Sequence, residues 1–397
     1  MFSKLSSSRP FFLFAGPNVI ETREHALRMA HAIKAVAEDL DLTYVFKASF
    51  DKANRTSRSS YRGPGLEAGL RVLDDIKKLV GVPIVTDVHE PSQAAPVAEV
   101  ADILQIPAFL CRQTDLIVAA AQTQAVLHVK KGQWCDSSVV AAAADKARAA
   151  GNAQFIACER GTQFGYTDLV VDPRNLHWMR SAGGLVSADV THSLQQPGLR
   201  IGEGGERSAG GLRELIPTVA RAACAAGVDG LFMEVHDDPT NSLCDAPTQW
   251  PLRNLRQLLE ECKDVALASR WRQTYELDLT PMTADEFVRF VEDGGRHLGS
   301  GNGVGGSVQG GGRRSAATRS TSSSPSTLSS KRRLEELGGG VRAERVPGSA
   351  DDAPLFQTVA TLGGQRLERR VAGCRSVEDA EQHVAASLLE SVFGDDY

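Results

Sequence analysis

No run of about 18 apolar residues occurs in the 397-residue sequence, so no helix is expected to cross a membrane. No C-x-x-C pair occurs either. The seven cysteines, at 111, 135, 158, 224, 244, 262 and 374, are odd in number and widely spaced. That speaks against a disulfide framework or a zinc ribbon and for a reducing compartment. Excess positive charge is also lacking: Lys plus Arg is 44 against 49 Asp plus Glu, a net charge of −5. A nucleic-acid protein held by bulk charge is thereby disfavoured, while a local basic cleft is not. The early apolar run FFLFAG is too short for the core of a signal peptide, and the protein reads as cytoplasmic.

Hydrophobic residues, at 42%, suffice for a large core, and the length fits one α/β barrel of about 250 residues with an extension. Eight short apolar runs recur: 11–16, 44–49, 83–88, 103–108, 126–131, 155–161, 185–191 and 230–236. Helical patterns separate them. In TREHALRMAHAIKAVAEDL, Leu27, Ala30, Ile33, Ala37 and Leu40 recur at helical spacing behind a Thr22 cap. Nearly continuous apolar strands indicate a parallel sheet buried on both faces. Eight such units close into a (β/α)8 barrel, the TIM-barrel architecture. The expected barrel domain spans 11–290, after a short segment 1–10.

Composition changes near Arg296. Residues 296–340 hold 11 Gly and 10 Ser, too few apolar groups to offset backbone entropy. A disordered Gly/Ser-rich linker is expected over 296–350. Beyond it, LFQTVATL reads as a strand and the stretch after Ser376 as an amphipathic helix, giving a small C-terminal module over 351–397.

Polar or ionisable groups end nearly every run: Asn18, Lys47, Asp87 with His89, Gln105, Lys130, Arg160, His192 and Glu234. In such barrels the C-terminal strand ends form the active-site face. Adding Lys52, Arg55 and Arg112 makes the expected mouth rich in cations. An acidic protein that gathers positive charge in one cavity is suited to an anionic ligand, and this set exceeds the need of one phosphate. His192, Glu234 and Asp245 are a ligand set for a divalent ion and equally a set of acid/base groups. His236 and Asp237 compete for that role. For any one residue the plain alternative is a solvated charge.

The strings FAGPNVIE, YVFKASFDKANRTS, SYRGPGLEAGL, VTDVHEPSQA, LQIPAFLCRQTDL, CERGTQFGY, ADVTHSLQQP and GLFMEVHDDP, from Phe11 to Glu261, resemble the 3-deoxy-D-manno-octulosonate-8-phosphate synthases, closest to the plant-type members. KASFDKANR separates them from the related 3-deoxy-arabino-heptulosonate phosphate synthases. The resemblance implies an enzyme that condenses phosphoenolpyruvate with arabinose 5-phosphate, releasing inorganic phosphate. It implies that Lys130, Arg160 and the Ala108 N–H face the phosphate of phosphoenolpyruvate and that Lys52 faces its carboxylate. Asn54, Arg55 and Thr56 match the pentose-phosphate contacts. Asp87, His89 and Gln105 match residues lining the cavity, and Asn18, Lys47, His192, Glu234 and Asp245 match catalytic polar groups.

One branch of that family has Cys where this chain has Asn18, with His, Glu and Asp as the other metal ligands. An amide is a far weaker ligand than a thiolate. The resemblance therefore implies the metal-independent branch, with no cofactor, and a homotetramer. The chain departs from the family after strand five, where KKGQWCDSSVV replaces a Pro and an apolar residue. GLRIGEGGERSAGGLRE reads as a mobile lid. The stretch before Phe11 is short, so a plug at the barrel floor is expected to be missing or reduced.

Overall fold

The computed structural model describes residues 1–55, 58–201, 207–269, 279–292, 340–346, 355–362 and 365–372, with 376–377, 380–381 and 384–385. The chain divides into two compact units, Met1–Pro281 and Met282–Tyr397. The first unit thus ends before the sequence-derived limit of 290.

Eight strands form where the apolar runs lie: β1 Phe12–Gly16, β2 Thr43–Lys47, β3 Ile84–Asp87, β4 Ile103–Ile106, β5 Val126–Lys130, β6 Phe155–Glu159, β7 Leu185–Asp189 and β8 Gly230–His236. Each pairs in parallel with the next, and β8 pairs with β1 to close the ring. At Gly16 the ring is so tight that a Cβ would lie 2.1 Å from the Lys47 carbonyl oxygen.

A short helix, α1 (Phe2–Ser6), precedes the barrel. Around the barrel run α2 Arg23–Asp39, α3 Leu66–Leu79, α4 Pro91–Ala98, α5 Thr114–Gln122, α6 Ser138–Ala149, α7 Pro173–Arg180, α8 Ile216–Ala225 and α9 Leu255–Ala268. The helix α2 starts as its sequence indicates: the Thr22 hydroxyl accepts the His25 N–H at 3.1 Å. Its Ala30, Ile33 and Ala37 are buried against the sheet.

Strand alternation sorts the apolar residues into two cores. Phe11, Leu13 and Ala15 join the larger cluster between sheet and helices. Phe12 and Phe14 instead join Val45, Val85, Ile103, Val126, Ile156, Leu185 and Phe232. This second cluster draws on all eight strands and fills the barrel interior, as packed barrels require. Leu5 belongs to it, with Met1 and Phe2 packed alongside. The floor is therefore plugged after all. Five residues of α1 suffice, because only one side chain must reach the axis.

Two antiparallel ribbons lie in loops of the first unit: Thr162–Phe164 with Asp168–Val170, and Gln195–Ile201 with Arg207–Gly211. The second is the Gly-rich stretch read as a lid, and its turn lies outside the described residues. Of the second unit, α10 (Ala284–Glu292) and a three-stranded antiparallel sheet, Gly340–Arg345, Leu355–Leu362 and Gln365–Ala372, are described. Gly340–Arg345, placed within the linker by composition, is thus the sheet's first strand. Ala343, Phe356 and Ala380 form its small core. The rest of the expected linker, and Cys374, lie outside the described residues.

Candidate active site

The inward positions that are apolar at the floor become polar at the mouth. Lys47, Asp87, Gln105, Lys130, Asp189 and Glu234 stand two or four residues after the interior residues Val45, Val85, Ile103, Val126, Leu185 and Phe232. Asn18 and Arg160 continue the same alternation just past β1 and β6. Above them lies a cavity of about 400 Å³. Lys47, Lys52, Asn54, Arg55, Asp87, His89, Gln105, Ala108, Lys130, Arg160, His192 and Asp245 all line it. Asn18 and Glu234 are fully buried. Thr56 lies outside the described residues. Arg112, counted with the mouth from its place after strand four, is exposed and does not line the cavity.

Glu234 is the centre of the buried charge network. It accepts from the Asn18 amide nitrogen and, at 3.4 Å, from Lys47. Lys52 stands 3.8 Å from it and His192 Nε2 3.4 Å. Burial alone would raise its carboxyl, but His192, Lys52, Lys47 and Lys130 outweigh it and hold the group down at about 2. Lys47 moves the other way. Burial, then the charge of Lys52, push it to about 8 against the pull of Glu234 and Asp87. Burial opposes the charged form of Lys52 too, but Glu234 and Asp87 prevail and raise it.

The Asn18 amide nitrogen also donates to Asp245 at 3.0 Å. Asp245 sits in the left-handed region, φ 47°. His192, Glu234 and Asp245 come together as a possible ligand triad, each with one ligand atom within 4.8 Å of the others. The amide hydrogens of Asn18 point at two of those carboxylates, while its Oδ1 has no partner. Reversing the amide to offer oxygen would forfeit both hydrogen bonds and set an acceptor against two anions. The donor set therefore fits a divalent ion poorly. His236 and Asp237 turn instead towards Glu21 and His25. There His236 Nδ1 accepts the Asp238 N–H at 2.9 Å, which assigns the ring proton to the Nε2 facing Glu21 and spoils that nitrogen as a ligand.

Two cationic poles occupy the cavity. At one, Lys130 is held by Asp189 at 2.6 Å and lies 3.7 Å from the centre of the Phe232 ring. Arg160, almost fully buried, has an Nη1 with no hydrogen-bond partner among the described residues; its Nη2 reaches Gln195 at 3.4 Å. A buried, unpaired guanidinium nitrogen is costly unless an anion completes it. Glu159 frames this residue by accepting the N–H groups of Arg160 (3.0 Å) and Gly161 (2.6 Å), and Lys131 braces Glu159 at 3.5 Å. At the other pole, Arg55 rests on Asp245 at 3.2 Å. Its Nε is also without a partner among the described residues. Asp87 joins His89 at 3.1 Å and accepts from Ser49. Although burial opposes its charge, His89, Lys47 and Lys52 keep its carboxyl well below the ordinary range.

Sequence reasoning missed Asp189. It holds Lys130 and also accepts from His192 Nδ1 at 2.8 Å, so the imidazole turns its Nε2 to Glu234 and Asp245. Burial opposes the Asp189 charge, yet His192 and Lys130 hold its carboxyl well below the usual range. Inward parity with Leu185 was the signal that marks it.

A closed eight-stranded barrel that gathers buried cations at its C-terminal mouth, with a nitrogen of Arg160 and one of Arg55 left open, defines a binder of small anions. The model of the DAHP synthetase I family matches residues 6–269, and the chain belongs to that family. It is 58% identical over 281 residues to 2-dehydro-3-deoxyphosphooctonate aldolase 2 of Arabidopsis thaliana, covering 71% of this chain and 97% of that protein. The aldolase of that name from Pisum sativum is 57% identical over 281 residues, with the same coverage. One from Nitratidesulfovibrio vulgaris is 54% identical over 250 residues, 63% of this chain and 90% of the relative.

Proposed function

We propose that the protein is a 3-deoxy-8-phosphooctulonate synthase, joining phosphoenolpyruvate to D-arabinose 5-phosphate with water and releasing inorganic phosphate. The observation that carries this is one cavity with two cationic poles, Arg160 with Lys130 and Arg55 with Asn54. Relatives named for the octonate product at 50–58% identity support the substrate class.

In this reading Lys130, Arg160 and Ala108 hold the phosphate of phosphoenolpyruvate, and Lys52 its carboxylate. Asn54, Arg55 and Thr56 hold the pentose phosphate, while Asp87, His89 and Gln105 shape the space between. Carbon 3 of the enol attacks the aldehyde, forming the new C–C bond. Lys47, lowered to about 8, donates a proton to the aldehyde oxygen. Carbon 2, now cationic in character, takes water, and Asp245 accepts the proton because it reaches the cavity while Glu234, at about 2, is a poor base. The hemiketal phosphate then breaks its C–O bond to give ketone and phosphate. Holding two anions in attack geometry is the larger part of the work, since fixed cations offset their repulsion.

The reading extends to the plant-type, metal-independent branch, supported by Asn18 and its donor orientation. Dialysis against EDTA should then change the rate by less than about twofold, since an amide stands where the metal-dependent branch has its thiolate; a loss restored by a divalent ion contradicts it. A homotetramer, a cytoplasmic location and a dispensable extension over 296–397 belong to the same reading. Among the described residues no helix is long and apolar enough to cross a membrane. The reaction itself is tested by phosphate release with phosphoenolpyruvate and, in turn, arabinose 5-phosphate, erythrose 4-phosphate and ribose 5-phosphate. Release with the first pentose is expected; preference for another sugar overturns the substrate.

A further inference from the structure

Two cysteines at the barrel mouth play no part in that reaction. Cys111 ends the short turn Ala108–Leu110, and its N–H reaches the Ala108 carbonyl at 3.4 Å. Cys135 lies in the loop after β5, within the stretch KKGQWCDSSVV that departs from the family pattern; its N–H reaches the Gly132 carbonyl at 3.1 Å. The two thiols are neighbours, close enough for the charge of one to oppose ionisation of the other. A Cβ built on Gly132 would stand 3.2 Å from both sulfurs and 3.3 Å from the Ala108 carbonyl oxygen. Any side chain there would have to push the sulfurs aside by a few tenths of an ångström.

We propose that Cys111 and Cys135 are a modification site: a reversible intrachain disulfide, formed by exchange with oxidised low-molecular-weight disulfides such as glutathione disulfide, that gates binding of phosphoenolpyruvate. The exchange balances in two steps. The Cys135 thiolate attacks one sulfur of the small disulfide and expels one thiolate. The Cys111 thiolate then attacks the Cys135 sulfur and expels the second. The protein loses two electrons, the small disulfide gains them, and the two thiol protons leave on the released thiols. Attack begins at Cys135, which is 6% exposed against 1% for Cys111. Burial holds the Cys111 thiol above its ordinary value, partly offset by the nearby Lys131 ammonium, so it serves as the resolving thiol.

The link reaches the site through its two loops. Disulfide sulfurs stand about 2.05 Å apart, closer than two thiols in contact. The shift is taken up by the loops that carry Ala108 and Gln133, both lining the cavity. Lys131 transmits it as well, since its ammonium holds the Cys135 carbonyl (3.2 Å), the Gly161 carbonyl (3.1 Å) and Glu159 (3.5 Å), the brace of Arg160. A displacement of about 1 Å at an attack geometry costs up to about 10²-fold in rate. A second pair of neighbouring thiols, Cys224 on α8 and Cys262 on α9, lies in the outer helix layer. It serves as the internal control.

The activity readout rests on the proposed reaction; the cross-link readout does not. The full-length protein is equilibrated in glutathione buffers of rising oxidised fraction and quenched with N-ethylmaleimide. Half is digested for mass spectrometry and half is assayed for phosphate release. The expected result is a Cys111–Cys135 linked peptide whose appearance tracks a rise of about tenfold or more in KM for phosphoenolpyruvate, reversed by dithiothreitol. Cys135→Ala and Cys111→Ala should keep near-parental activity and ignore the oxidant, while Cys224→Ala responds as the parent does. Thiols that remain alkylated, or carry only glutathione adducts, overturn the site. A linked peptide with unchanged KM, or a loss that persists in both alanine variants, overturns the gating.

Discussion

The floor and the mouth of this barrel use the same strands and the same inward parity, yet they carry opposite chemistry. At the floor Phe12, Val45, Val85, Ile103 and Leu185 meet one another and Leu5 of the plug. Two to four residues further along, Lys47 pairs with Glu234 and Asp189 with Lys130, beside the buried Asp87 and Gln105. Burial is nearly complete at both levels. The difference lies in what compensates it: apolar contact at the floor, and ion pairing at the mouth that leaves Arg160 Nη1 unsatisfied. The floor therefore supplies stability, and the mouth spends some of it on readiness for anions.

The largest effect expected is at the mouth. Arg160→Ala removes the unpaired donor and should lower kcat/KM by about 10³-fold in steady-state phosphate release, with little change in Tm. Asp189→Asn keeps the shape but frees Lys130 and loosens the His192 tautomer. It should cost about 10²-fold in kcat, and a loss confined to stability would blur the division of labour. The pH profile sharpens it further. If protonated Lys47 is the donor, activity is full below its value of about 8 and falls about tenfold per pH unit above it, read from kcat across pH 7–10. Glu234, at about 2, stays charged throughout and adds no acid limb in that range. At the floor the readout reverses. Ile103→Ala, in the interior core, should cost about 2–5 kcal/mol in denaturant unfolding while the KM for each substrate stays within about twofold.

The eight strands were legible because near-continuous apolar runs of five or so residues, punctuated by helical repeats, admit few other folds. The mouth was legible in outline for a simpler reason: strand ends in a barrel share one face. Four things were not. Asp189 was hidden inside the run LVSADVT, where only the two-residue phase relative to Leu185 separates a core position from a site position. Arg112 was counted with the mouth because position after a strand does not fix the direction of a loop side chain. The α1 plug was missed because five residues show no helical period, and Leu5 gains its place only from the closed ring above it. In the second unit the strand Gly340–Arg345 begins on glycine, so composition assigned it to the linker.

The most direct measurement is a crossed binding titration by calorimetry. Phosphoenolpyruvate and arabinose 5-phosphate are each titrated into the parent, Arg160→Ala and Arg55→Ala proteins. Two separate poles in one cavity predict that Arg160→Ala loses phosphoenolpyruvate while keeping the pentose phosphate, and that Arg55→Ala does the reverse. Equal losses of both ligands in both variants, or no loss in either, would contradict it.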